Sequence, residues 1–152
     1  MSEVGFYHLT RSSLEEALPR LLAKALAAPM RVLLRASSRE RVEALDRHLW
    51  VFEADSWLPH GTRADGNPDM QPVWLTDQVE NPNEATLLVL VDQAADDDMA
   101  AFPRVLDLFD GADEAAVEAA RERWRQRRAA GHRLVYWKQT ERGGWEKARE
   151  EG

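Results

Sequence analysis

TLLVLVD, residues 86–92, is the strongest strand signal in this 152-residue chain. Its run of aliphatic residues leaves no polar face, so a strand here would be covered on both sides. MRVLLRA, residues 30–36, has a similar near-continuous apolar pattern. Because strands buried on both faces are typical of parallel sheets covered by helices, both runs predict strands of such a sheet, with residues 86–92 near its centre.

The segments that precede and follow these strands alternate between strand and helix patterns. Val4 to Thr10 has the pattern of a strand, and Ser12 or Ser13 then caps a helix whose leucines recur at helical spacing. After the strand at residues 30–36, Ser37 or Ser38 opens a second helix. This order predicts a βαβ unit with a right-handed crossover and a parallel sheet.

The remainder of the chain adds strands to the same sheet. Residues 51–83 are rich in Pro and Gly and are predicted to be mostly loop, apart from a short strand at Val73–Thr76. Further strands are predicted at 102–109 and 132–140, the last of them closing the sheet. We therefore expect a single-domain, open, twisted α/β sheet, mostly parallel and flanked by helices, over residues 1–140. The polar segment 141–152 is predicted to fray.

The composition limits the possible functions. The chain has a net charge of −7 and contains no cysteine, which excludes disulfides, thiolate catalysis and cysteine metal sites. Its acidity argues against broad, nonspecific binding to nucleic acid. The chain shows neither a basic leader before an apolar run nor an apolar stretch of about 18 residues, so we expect a soluble, cytoplasmic protein without membrane contact.

Residues 112–131, ADEAAVEAARERWRQRRAAG, are predicted to form a helix whose second half is strongly basic. At about 100° per residue, Arg121, Trp124, Arg125 and Arg128 share one face, on which an aromatic plate is framed by three guanidinium groups. Such a face suits an acidic partner with an apolar end. Arg127 lies about 120° away from Arg121 and is predicted to be solvated.

Two structural explanations of this helix stay open. Arginines near the end of a helix favour its dipole, and a charge run is usually a solvated face. Trp124 could also be an ordinary core aromatic residue, because Val117, Ala120 and Trp124 follow one another at helical spacing.

Catalytic and cofactor motifs are not found. No G-x-G-x-x-G follows the first strand, no G-x-x-x-x-G-K-[ST] occurs, and the four histidines lack metal-ligand spacing and a nearby nucleophile. The run Asp96-Asp97-Asp98 is more typical of a helix start than of a metal site. We expect no catalytic residue, cofactor or metal.

Several short pieces, taken in order, resemble the chi subunit of bacterial DNA polymerase III holoenzyme, a clamp-loader accessory protein. They are Phe6-Tyr7-His8-Leu9, Met30-Arg31-Val32-Leu33, Leu45-Asp46-Arg47-His48-Leu49-Trp50, Ser56-Trp57-Leu58-Pro59-His60, Pro72-Val73-Trp74-Leu75-Thr76, Phe102-Pro103-Arg104-Val105 and Ala120-Arg121-Glu122-Arg123-Trp124-Arg125. The resemblance covers nearly the whole chain. It implies a Rossmann-like fold, no catalytic activity and two partners, the psi subunit and the acidic C-terminal tail of single-stranded-DNA-binding protein.

The resemblance also implies a binding site. In the family the tail, several aspartates ending in Pro-Phe, docks on the arginine-rich helix and an aromatic loop. The positions that match are Arg121, Trp124, Arg125, Arg128, Trp57, Leu58, Pro59 and Trp50. This chain has Val117 where relatives can offer a lysine, and tryptophans at two positions where tyrosine or phenylalanine is familiar. The psi-binding surface cannot be placed by motif.

Two other classes of function are compatible with an α/β sheet. The arginine-rich helix could contact single-stranded nucleic acid directly, with Trp124 stacking on a base. An enzyme could use the carboxyl edge of the sheet as a pocket, but no nucleotide fingerprint or catalytic constellation supports this. On the adaptor hypothesis, the chain reaches DNA only through the single-stranded-DNA-binding protein.

Overall fold

The computed structural model describes residues 2–28, 30–51, 59–142 and 144–151. In chain order its helices and strands are β1 (Glu3–Leu9), α1 (Leu14–Ala27), β2 (Val32–Arg35), α2 (Arg39–Val51), β3 (Gly61–Thr62), β4 (Val73–Thr76), β5 (Leu87–Val91), β6 (Arg104–Asp110), α3 (Glu114–Ala129), β7 (Arg133–Gln139) and β8 (Trp145–Glu151). Single 3₁₀ turns occupy Pro68–Met70 and Met99–Ala101.

The strands of the described residues form one sheet in the order β3-β4-β2-β5-β6-β1-β7-β8. All neighbouring pairs are parallel except β7 and β8. The prediction of an open, mostly parallel α/β sheet is confirmed, as is the central place of β5. The strands β1 and β2 that α1 connects are not neighbours in the sheet, because β5 and β6 lie between them.

Helices cover both faces of the sheet. In β2, Val32 and Leu34 point to the face that α1 and α2 cover, whereas Leu33 points to the opposite core with α3. Successive strand residues face opposite sides, so one apolar run supplies both cores. The helix α3 therefore packs on the opposite face from α2.

Polar side chains fix the starts of the helices. The Ser13 hydroxyl accepts a hydrogen bond from the Glu16 amide at 3.2 Å, and Ser38 accepts one from the Arg41 amide at the same distance. The Asp113 carboxylate caps α3 by accepting from the amides of Ala115 and Ala116. Each cap satisfies amides that the first helical turn leaves unpaired. The structure thus selects Ser13 and Ser38 from the two predicted pairs of serines.

The C-terminal segment departs from the prediction. Residues 145–151 do not fray but form β8, antiparallel to β7, so β7 does not close the sheet. Trp145 anchors the strand, with its ring edge-on to Tyr7 at 4.9 Å between centroids. Pairing with the otherwise open edge of β7 satisfies backbone groups of a segment whose side chains are mostly polar.

None of the described helices combines the length and apolar character needed to cross a membrane.

Candidate partner-binding groove

The helix α3 directs its five arginines in two directions. The side chains of Arg121, Arg125 and Arg128 are 62%, 65% and 59% exposed. Those of Arg123 and Arg127 are only 14% and 4% exposed and point toward the sheet. The basic run is therefore divided between an exposed face and a buried structural network on one helix.

The buried network is centred on Asp107 of β6. Arg123 donates two hydrogen bonds to this carboxylate, at 2.8 and 2.9 Å, and Arg127 donates a third at 2.6 Å. Arg127 also donates to Asp96 at 2.8 Å, and its guanidinium carbon lies 5.2 Å from the centre of the Phe6 ring. Buried charges need such pairing, because an unpaired charge in the interior is strongly destabilising.

The prediction that Arg127 is a solvated residue is therefore wrong. Ala120, Trp124 and Arg127 are spaced by four and three residues, so all three lie on the sheet-facing stripe of α3, and all are buried. That spacing was readable from the sequence, but the carboxylates that make burial of an arginine possible come from distant β6 and from the loop before the 3₁₀ turn at Met99.

The acidic run 96–98 has a related structural role. Asp96 pairs with Arg127, and Asp98 holds both terminal nitrogens of the fully buried Arg35, at 2.8 and 2.9 Å. Asp98 also stands at the start of the 3₁₀ turn Met99–Ala101, although its side chain makes no cap hydrogen bond there. Two of the three aspartates thus neutralise guanidinium groups on the α3 side of the sheet.

Trp124 is a core residue and also reaches the surface. Its side chain is 8% exposed and packs against Phe6 and Tyr136, with ring centroids 5.2 and 5.9 Å away. Its indole nitrogen is buried and finds no hydrogen-bond acceptor among the described residues. The core explanation of Trp124 is therefore correct, and the ring forms the floor of a groove rather than an exposed plate.

That groove has a volume of about 650 Å³ and lies between α3 and the β7–β8 hairpin. Its lining residues are Ala120, Arg121, Trp124, Arg125, Arg128, Tyr136, Ala148 and Arg149. The four residues of α3 that the sequence placed on one face are brought together here. The sequence does not identify Ala148 and Arg149, because it predicts a frayed tail where β8 forms. It does not identify Tyr136, because that residue of β7 meets α3 only in the folded chain.

Four arginines line the groove, and their ion pairs lie at the surface. Arg121 and Arg125 contact Glu118 and Glu122 one turn earlier, both at 2.6 Å, and Arg128 contacts Glu151 at 3.5 Å. Ion pairs this exposed contribute about 0–1 kcal/mol, so carboxylates of a partner can replace them at little cost. The arrangement can bind an acidic group beside an apolar one.

Titratable groups lie under the groove. Burial raises the pKa of the Tyr136 hydroxyl, an effect that nearby Arg121 partly offsets. The pKa of His8, whose Nδ1 is hydrogen-bonded to the Tyr136 hydroxyl, is lowered by burial and by the positive charges of Lys138 and Arg121. At neutral pH both side chains are therefore uncharged, so neither of them adds a charge beneath the groove.

Two further predicted site residues that the structure describes, Trp50 and Pro59, do not line this groove. Trp50 lies in the last turn of α2 and is 50% exposed, and its ring contacts His60 at 4.5 Å between centroids. Pro59 precedes His60, next to the edge strand β3, so Trp50 and Pro59 lie across the sheet from α3. Trp57 and Leu58 lie outside the described residues.

Another depression lies at the carboxyl ends of the strands, the usual ligand position in open α/β sheets. Its one cation, Arg41, is held by Glu15 at 2.8 Å and by Asp92 at 2.5 Å. Within the described ranges no three His, Asp or Glu side chains are grouped as metal ligands. The arginine-lined groove therefore remains the candidate site.

Fold and groove together define an open α/β protein with an arginine-lined surface groove. The model of the family described as "DNA polymerase III chi subunit, HolC" matches residues 1–135. The chain belongs to this family, and the resemblance noted in the sequence is confirmed.

Individual relatives carry the same name. The DNA polymerase III subunit chi of Escherichia coli (strain K12) is 27% identical over 130 residues, 84% of this chain and 88% of the relative. That of Haemophilus influenzae is 27% identical over 135 residues, covering 85% and 92%. A probable subunit chi of Rickettsia prowazekii is 29% identical over 91 residues, 60% of this chain, and the match spans only 55% of that relative.

Proposed function

We propose that the chain is a non-catalytic adaptor of DNA replication, which binds the acidic C-terminal tail of single-stranded-DNA-binding protein in the groove between α3 and β8. The supporting observation is the arrangement of three exposed guanidinium groups around the buried ring of Trp124. Family membership supports the assignment to DNA polymerase III.

In this proposal charge and shape have separate roles. Arg121, Arg125 and Arg128 take the carboxylates of the tail, including the free carboxylate of its last residue. The terminal phenylalanine ring lies on the floor formed by Trp124, beside Ala120. Full burial of such a ring contributes about 1.5–3 kcal/mol, which corresponds to roughly 10- to 100-fold in affinity.

A peptide pair tests this assignment. Isothermal titration with an acidic peptide ending in Asp-Ile-Pro-Phe should give saturable binding, and the same peptide without its phenylalanine should bind about 10- to 100-fold more weakly. Equal binding of the two peptides would show that the groove recognises charge alone and would contradict the proposed site.

A matched pair of charge reversals locates the binding. Arg125→Glu should weaken binding of the complete peptide by at least about 2 kcal/mol, because an attraction becomes a repulsion. Arg39→Glu is the control, since Arg39 is also exposed on a helix and paired with a glutamate, Glu43, but lies on the opposite face of the sheet. If both reversals weaken binding equally, the peptide responds to net charge and not to this groove.

We further propose that a psi-like subunit joins this chain to the clamp loader and that the complex acts in the cytoplasm. Both statements rest on the family and not on a surface of this chain. Direct binding of single-stranded nucleic acid is disfavoured by the net charge of −7, because affinity for phosphate depends on accumulated positive charge.

A further inference from the structure

The strand β8 gives the groove a wall that the family match does not cover. The matched segment ends at residue 135, whereas β8 comprises Trp145–Glu151. Ala148 and Arg149 of β8 line the groove opposite α3. A segment that the sequence predicts to be a polar tail therefore contributes directly to the candidate site.

An irregularity in the β7–β8 ladder determines which residue enters the groove. Trp137 is opposite Lys147, so regular antiparallel pairing would place Ala148 opposite Tyr136. The register shifts at this point, and Arg149 is opposite Tyr136 instead. An extra residue in one strand redirects the side chains that follow it. Here Arg149 is directed onto the face of the sheet that carries Tyr136 and Trp124.

Contacts of Arg149 hold it in the groove. Its guanidinium carbon lies 5.5 Å from the centre of the Trp124 ring, a cation–π distance. Two of its nitrogens donate to Glu151 Oε1, at 3.1 and 2.6 Å. The side chain remains 58% exposed, so a ligand can reach it.

Glu151 also connects the two walls. Its other oxygen, Oε2, lies 3.5 Å from a terminal nitrogen of Arg128 on α3, while Oε1 accepts from Arg149 on β8. This carboxylate therefore lies between the guanidinium groups of the two walls.

We propose that Arg149 is a fourth guanidinium group of the binding site and that a partner's carboxylate replaces Glu151 between Arg149 and Arg128. This inference rests on the proposed function, because it concerns the same groove and an acidic peptide as ligand. It adds a specificity-determining residue outside the segment that defines the family.

Titration of the full chain with the acidic peptide ending in Asp-Ile-Pro-Phe tests the role of Arg149. Arg149→Ala should weaken binding about five- to tenfold, the loss of one charge-assisted contact. The control is Arg142→Ala, because Arg142 is an exposed arginine of the same hairpin that does not line the groove. A change of less than about twofold for Arg149→Ala, with the unaltered chain binding well, overturns the inference and leaves the proposed function standing. Absence of binding by the unaltered chain overturns both.

Glu151→Gln tests the replacement separately. A neutral amide keeps the size of the side chain but no longer competes for the two guanidinium groups, so the peptide should bind about two- to threefold more tightly. Weaker binding by this variant would show that Glu151 contributes to peptide binding and is not displaced by the peptide, and it would overturn the proposed replacement. Thermal melts of each variant confirm that β8 is folded.

Discussion

At the scale of single residues, Arg125 and Arg127 differ in exposure and in ion-pair partners, although they are only two positions apart on α3. The Arg125 side chain is 65% exposed and forms an ion pair with Glu122, whereas Arg127 is 4% exposed and joins Asp107 to Asp96. Arginines of the same helix therefore occupy two different environments. Arg125 belongs to the groove, and Arg127 belongs to the core.

Their alanine variants should separate stability from binding. Arg127→Ala should lower the free energy of unfolding by about 2–4 kcal/mol, because it removes one of the guanidinium partners of a buried carboxylate and leaves a cavity. Arg125→Ala should change it by no more than about 0.5 kcal/mol, since exposed ion pairs contribute little. Urea denaturation measures both. Equal stabilities of the two variants would contradict the buried network.

The sequence allowed the face of Arg121, Trp124, Arg125 and Arg128 to be predicted, because helical spacing alone determines which of these residues are neighbours. It did not allow the environment of Trp124 or Arg127 to be predicted. Their burial depends on Phe6, Tyr136 and Asp107, which come from strands far away in the chain. Helical periodicity identifies a face but not what the face packs against.

At the scale of elements, His8 connects β1 to β7 and to the turn after β6. Its Nδ1 is hydrogen-bonded to the Tyr136 hydroxyl, and its ring so closely approaches Gly111 that a Cβ at Gly111 would clash with it. The pKa of His8 is lowered by burial and by Lys138 and Arg121, against the opposing effect of Asp110. Protonation of this histidine therefore opposes folding.

The sign of the pH effect follows from this shift. In the unfolded chain the imidazole takes up a proton near its ordinary pKa of about 6.5, before the folded chain does, so stability is lost as pH falls below that value. The urea midpoint should drop between pH 7.5 and 5.5, and it should drop less in His8→Gln, which cannot titrate. His132, whose pKa is also lowered by burial, leaves a residual slope in the variant. Identical pH dependence of the two proteins would contradict the account of His8.

The β8 strand shows where element prediction fails. Residues 145–151, Trp-Glu-Lys-Ala-Arg-Glu-Glu, have no apolar alternation, and nothing local distinguishes them from a solvated tail. They form a strand because the edge of β7 is available, Trp145 packs on Tyr7, and Glu150 pairs with Arg133 at 2.8 Å. All three causes are long-range contacts. The other strands and the helices, in contrast, carry their signals in their own residues, except for β3, whose two residues lie in a segment predicted to be loop.

At the scale of the whole molecule, the apolar runs of β2 and β5 predicted a parallel sheet buried on both faces. The same runs do not predict the order of the strands, in which β5 and β6 separate β1 from β2. These runs also do not predict that α2 and α3 cover opposite faces of the sheet. This arrangement places Trp50 and Pro59 across the sheet from the arginines of α3. The match of residues 1–135 to the chi family indicates the functional class, whereas the structure shows the groove.

The most direct test of the central claim uses the complete partner. Single-stranded DNA is immobilised and coated with single-stranded-DNA-binding protein whose acidic C-terminal tail is either intact or removed, and binding of this chain is measured by surface plasmon resonance. Bare DNA is the third surface.

The account predicts saturable binding to the surface with intact tails, strong loss of that binding in Arg125→Glu but not in Arg39→Glu, and little binding to the other two surfaces. Equal binding to coated DNA with and without tails would contradict tail recognition in the groove, and tight binding to bare DNA would identify a direct nucleic-acid-binding protein instead.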